Sequence, residues 1–326
     1  MYVTFIIGNG FDLSLGMKTR YTDVYAEYMK EKSNNPTIQA LKKELANNYE
    51  NWTDFEMGMA EYAGKLNDER ELIECVRDFR KFLTGYLKRE EKDFIDKIKG
   101  DEELKRFCNE FQMSLERWMA NLTPNARRDI SYANLEHRFL TFNYTKILSG
   151  FVDIASSKRG LINKETIHIH NDLNSTILLG VDDQDQVPMP LSAKGKRTFV
   201  KRLFNDQYDN ARVDKVNKTI YSSSTICIYG WSMGASDRCW VNAIAEWLEA
   251  DEDHHLVWFP YGTPKFESYE MDAQMDEEDN QREILMEKLN LSGQYSTFEK
   301  QLHIVLGKGI FNFPSLDADI PTSTNK

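Results

Sequence analysis

Gly8-Asn9-Gly10-Phe11-Asp12 directly follows the first apolar run of the chain, Tyr2 to Ile7. Gly8 and Gly10 carry no Cβ, so the backbone there can take positive φ and let a ligand reach peptide N–H groups, the chemistry used to hold phosphate. The same residues also suit an ordinary tight turn. Leu13 stands where a GxGxxG fingerprint needs its third glycine, and no GK[ST] is present. Three more polar clusters follow apolar runs: Asn143-Tyr144-Thr145, His170-Asn171-Asp172 and Gly230-Trp231-Ser232. His168 and His170 alternate along one run and should face opposite sides, so His170, nearer its end, is the one expected in a crevice. Glu56, Asp182 and Asp237 are further candidates, each with a plain structural alternative. Thr53-Asp54-Phe55-Glu56 fits a capping box with Thr53 as N-cap, so helix initiation accounts for Glu56 as well as catalysis does. Asp182 and Asp183 could bind a ribose or a cation, or simply make an acidic turn, and Asp237 has the same status.

Placing these clusters in one crevice requires parallel strands. Strand signals fall at Tyr2 to Ile7, Arg138 to Phe142, Thr166 to His170, Thr176 to Leu179, Thr225 to Tyr229 and His255 to Phe259, with a weaker one at Leu302 to Val305. Long connections separate them. This pattern predicts an α/β fold, a Rossmann-like, mainly parallel sheet covered by helices, with ligands collecting at the strands' carboxyl ends. Residues 20–125 carry helical periodicity, as in Leu72, Val76, Phe79, Leu83 and Tyr86, and read as a large helical insertion. The expected organisation is an α/β core from 1–19 and 126–314, the insertion at 20–125, and a flexible tail at 315–326. The insertion is far longer than a crossover needs, so it is expected to pack beside the crevice and receive a trigger or second subunit.

Composition narrows the function classes. The chain has 326 residues and a formal net charge of -11, which disfavours generic nucleic-acid binding. The basic run Lys194 to Arg202 (KGKRTFVKR) reads as a solvated loop, or less readily as an anion contact. Cys75, Cys108, Cys227 and Cys239 are scattered without a CxxC pair, giving no sign of a zinc ribbon or disulfide framework. No apolar stretch is long enough to span a membrane, and the start lacks signal-peptide features, so a cytoplasmic protein is expected.

FIIGNGFDLSLG, Trp52 to Glu56 (WTDFE), Leu140 to Leu148 (LTFNYTKIL), Ile167 to Asn171 (IHIHN) and Ile228 to Asp237 (IYGWSMGASD) together resemble the AbiH family of bacteriophage abortive-infection proteins, over residues 5 to about 240. A more distant resemblance is to the sirtuin-like NAD-binding fold. Gly8, Gly10 and Gly16 fall on the spacing of its GAG-x-S-x-x-x-G loop, Thr141-Phe142-Asn143 echo its TQN, His170 its HG histidine, and Gly230-Trp231-Ser232-Met233 its GTSL. The resemblance implies an NAD crevice with Gly8, Asn9 and Gly10 on the pyrophosphate, Asn143 on the nicotinamide ribose or the attacking water, and His170 as base. Asp12, Gly16, Thr141, Gly230 and Ser232 would complete the binding set. The sequence departs from the pattern at Asp12, Thr145 and Asn171, and the paired zinc cysteines are missing, so deacylation is not expected.

The implied function is an antiphage effector that hydrolyses NAD or a related small-molecule nucleotide. Asn143 supplies a donor and an acceptor, a neutral His170 can take a proton, and no metal is required. The alternative is a non-catalytic nucleotide sensor or assembly subunit. Either form implies a phage-derived trigger or second defence protein, and a homo-oligomer fits both.

Overall fold

The computed structural model describes residues 1–122, 124–130, 135–156, 162–267, 269–307 and 309–314. The expected tail, 315–326, lies outside the described residues. Six strands form one sheet: β1 (Tyr2–Ile7), β2 (Glu136–Thr141), β3 (Ile162–His168), β4 (Thr225–Tyr229), β5 (His255–Phe259) and β6 (Leu302–Ile304). Their order is β3-β2-β1-β4-β5-β6, and every neighbouring pair is parallel. This is an α/β Rossmann-like arrangement. The order reverses between β1 and β4, where open α/β sheets leave a crevice at the carboxyl ends of their strands.

A central strand buried on both faces needs an unbroken apolar run, which β1 supplies. Val3, Phe5 and Ile7 pack on one side with Phe139, Cys227 and Val257, under the helices Asp101–Arg117 and Ile147–Ser156. Ile6 packs on the other with Leu140, Ile226, Ile228 and Leu256, under Asn210–Tyr221 and Arg238–Ala250. A third core lies away from the strands, joining residues from Val24 to Leu87 with Leu173 to Val200. The 29-residue helix Glu69–Lys97 bridges two of these cores: Leu72 to Leu87 enter the third, and Phe94 enters the first.

Several expectations need correcting. Thr176 to Leu179 is not a strand. Ile177 and Leu179 are buried in the helical core, while the segment's backbone is satisfied piecemeal: Leu178 N donates to His170 O at 2.9 Å, and Arg80 donates to Leu179 O at 3.2 Å. β-Favouring residues here serve burial without a ladder. β3 ends at His168, so His170 sits in the turn beyond it. The basic run is not a loop: it forms the helix Ala193–Phe199 and opens the helix Lys201–Tyr208.

Candidate functional site

A cavity of about 610 Å³ lies at the carboxyl ends of β1, β2 and β4. Among its lining residues are Gly8, Asn9, Gly10, Asp12, Glu56, Asn143, His170, Gly230, Ser232 and Asp237. Three candidates stand elsewhere. Gly16 (φ +80°) ends the short helix Gly10–Ser14. Thr141 is buried in the sheet, its hydroxyl donating to Ile7 O at 3.1 Å. Asp182 accepts from Cys239 N at 2.7 Å and so caps the helix Arg238–Ala250 from a distant loop.

The glycine turn does not present its amides to the cavity as a phosphate cradle would. Gly8 N donates to Tyr229 O and Gly10 N to Gly230 O, both at 2.9 Å. A Cβ on Gly8 would stand 2.5 Å from Gly230 O, and one on Gly10 2.5 Å from Gly230 Cα. The glycines therefore let two loop backbones touch at the switch point. Asn9 likewise faces protein, its Nδ2 donating to Thr19 O at 2.8 Å and its Oδ1 accepting from the Thr19 hydroxyl at 2.6 Å.

Asp12 anchors one corner. Its Oδ1 accepts from Asn143 Nδ2 at 3.0 Å and its Oδ2 from the Thr145 hydroxyl at 2.6 Å. Asn143 is thereby held by its amide nitrogen, which fixes its flip and leaves Oδ1 as a free acceptor among the described residues. Burial pushes Asp12 up to about 7, against the lowering effect of these two hydrogen bonds.

The opposite corner is an ion-paired group. Lys201 Nζ donates to Asp237 Oδ1 at 2.7 Å, Trp231 Nε1 donates to Oδ2 at 3.3 Å, and His170 Nε2 lies 3.1 Å from Oδ1 without a well-aligned hydrogen bond. Burial opposes the charge on Asp237, but Lys201 and His170 outweigh it and hold the carboxylate well below its usual range. Burial, reinforced by Lys201, lowers His170 despite Asp237, so the imidazole is neutral near pH 7. The rings of Phe142 and Tyr144 flank it, with centroids at 5.2 and 6.5 Å.

The helical region supplies a third wall. Asp54, not Thr53, is the N-cap of the helix Phe55–Ala63, accepting from Met57 N at 3.1 Å. That shift by one residue frees Glu56 from a capping box and turns it into the cavity. The Tyr21 hydroxyl donates to its Oε2 at 2.9 Å. Burial and then Asp54 push Glu56 up to about 8, with Lys201 pulling the other way. Arg20 and Lys288 bring positive charge to the lining; Arg20 is exposed and donates to Tyr261 Oη at 3.0 Å.

Sequence reasoning missed Lys201 and Tyr21. Lys201 is 6 % exposed although it lies in a strongly basic run. The signal available was the apolar company of that run, Phe199-Val200 directly before it and Leu203-Phe204 after.

The cavity combines a fixed amide, a neutral imidazole and two carboxyls with raised proton affinity, a set suited to orienting a sugar and a water. The family described as Bacteriophage abortive infection AbiH matches residues 4–259, more than half of the chain. No curated protein gives a significant match.

Proposed function

Because this chain belongs to the AbiH family and so to bacteriophage abortive-infection defence, we propose that its cavity binds NAD or a related nucleotide and hydrolyses the N-glycosidic bond. The observation that carries the reading is the Asp12–Asn143 pair, a buried amide held in one orientation in a cavity at the sheet's switch point that His170 also lines. The scissile ribose sits deep, with Asn143 Oδ1 accepting from a ribose hydroxyl or from the attacking water. The C1′–N bond breaks with its electron pair going to the base. For a pyridinium base this yields neutral nicotinamide without added protonation. Water oxygen bonds to C1′, and its proton passes to His170 and then to solvent. Asp12, when ionised, favours the oxocarbenium-like charge. With the Gly8 and Gly10 amides engaged, phosphates lie toward Arg20 and Lys288.

Calorimetric titration with NAD tests the binding half of this reading. One site is expected in the wild type and in Asn143→Ala, whose lost amide orients the reaction more than it supplies affinity. Absence of binding in the wild type would overturn it. Binding by a wild type that never turns over would replace the hydrolase with a nucleotide sensor.

A further inference from the structure

Lys201 is a buried cation behind the cavity wall, in a basic run with no other part in the site. Its ammonium and the His170 imidazole converge on one oxygen, Asp237 Oδ1, at 2.7 and 3.1 Å. Trp231 Nε1 holds the other carboxylate oxygen, so Asp237 cannot rotate without losing a partner. His170 Nε2 is inaccessible to solvent and lies against this carboxylate. Nδ1 has no hydrogen-bond partner among the described residues, and His170 lines the cavity.

We infer that Lys201 is a positioning residue for His170, acting through Asp237 to fix the ring with Nε2 toward the carboxylate and to keep Nδ1 as a proton acceptor facing the cavity. This rests on the proposed reaction only for its purpose. The arrangement itself is a property of the ligand-free protein. An Asp–His pair alone would favour the imidazolium, because the anion stabilises the cation it faces. Lys201 satisfies that anion and repels a second positive charge. The other charged and titratable groups about His170 are Arg212 from the helix Asn210–Tyr221, which opposes imidazolium, and Tyr144, while Glu56 lines the same cavity.

The two single changes should therefore move His170 in opposite directions. In Lys201→Met the imidazole pKa should rise by about one unit or more, a tenfold gain in proton affinity, because Asp237 loses its competing cation. In Asp237→Asn it should fall, because Lys201 remains and its anion is gone. Lys201→Arg should stay near the wild type. The readout is the NMR titration of the ring resonances in the full chain without nucleotide, with His170 assigned by the signal lost in His170→Gln. Should Lys201→Met not fold, Lys201→Gln carries the same expectation, since its amide can still donate to Asp237. Opposite shifts support the role. Shifts in one direction, or a titration unmoved by either change, would overturn it. NAD takes no part in the measurement, so its outcome is separate from that of the binding titration.

Discussion

The Asp12 corner of the cavity is buried and the Asp237 corner nearly so, yet their carboxyls hold protons very differently. Asp12 has two neutral donors, Asn143 and Thr145, and its proton affinity rises to about 7. Asp237 has a cation at 2.7 Å and stays ionised far into acid. Burial alone would protonate both, so the partner's charge decides between them. One site thus keeps a permanent anion against an imidazole together with a carboxyl that changes charge near neutral pH.

The largest test of this contrast is to strip one corner of its partner. Asp237→Ala leaves Lys201 buried and unpaired, and should cost about 3–5 kcal/mol of stability, read as a lowered urea midpoint at unchanged slope. The double change Lys201→Met with Asp237→Ala should recover much of that loss. If it recovered none, the ion pair would not be what holds this corner.

Thr145→Val makes a smaller cut at the other corner. It removes one donor from Asp12 while keeping the side chain's shape, with an expected loss of about 1–2 kcal/mol at neutral pH. The Asp12 proton affinity should rise further in this variant. A loss as large as that of Asp237→Ala would mean that Asp12 is held mainly as an anion and the contrast is wrong.

The third test is a slope and not a single loss. Asp12 and Glu56 are raised from 3.8 and 4.5 to about 7 and about 8, so the folded state holds their protons more tightly than the unfolded chain does. Their contribution is full below the unfolded values and is lost as pH rises through the folded ones. Between pH 5 and 8.5 the wild-type Tm should therefore fall from this source, and Asp12→Asn with Glu56→Gln should flatten the fall by roughly ten degrees. Thermal melts across that range check it, and an unchanged slope would mean neither group titrates there. Asp237 adds no slope in this window.

The sheet end of the site was readable in the sequence because strands announce themselves locally. Tyr2–Ile7, Thr225–Tyr229 and His255–Phe259 begin and end as their apolar runs do, and the clusters after them had to share a crevice once the strands were parallel. Roles within those clusters were less legible. The Gly8 and Gly10 pattern could mark a phosphate cradle or a close backbone crossing, and only the position of Gly230 distinguishes them. The helical wall was hidden for a different reason. Whether Thr53 or Asp54 caps the helix shifts the frame by one residue, and that frame decides whether Glu56 faces its own backbone or the cavity. Burial of Lys201 depends on Asp237, 36 positions away, a pairing that no local composition records.

The central claim is that the Asp12–Asn143 corner cleaves a nucleotide, and nicotinamide release measures it most directly. The purified full chain is incubated with NAD, with and without extract of phage-infected cells, and products are separated by chromatography. The account predicts nicotinamide and ADP-ribose in equal amounts from the wild type, at least when the extract is present. It predicts a loss of about 100-fold or more in Asn143→Ala, with the fold and NAD binding intact. Equal release by the two proteins, or none from the wild type under either condition, would contradict it.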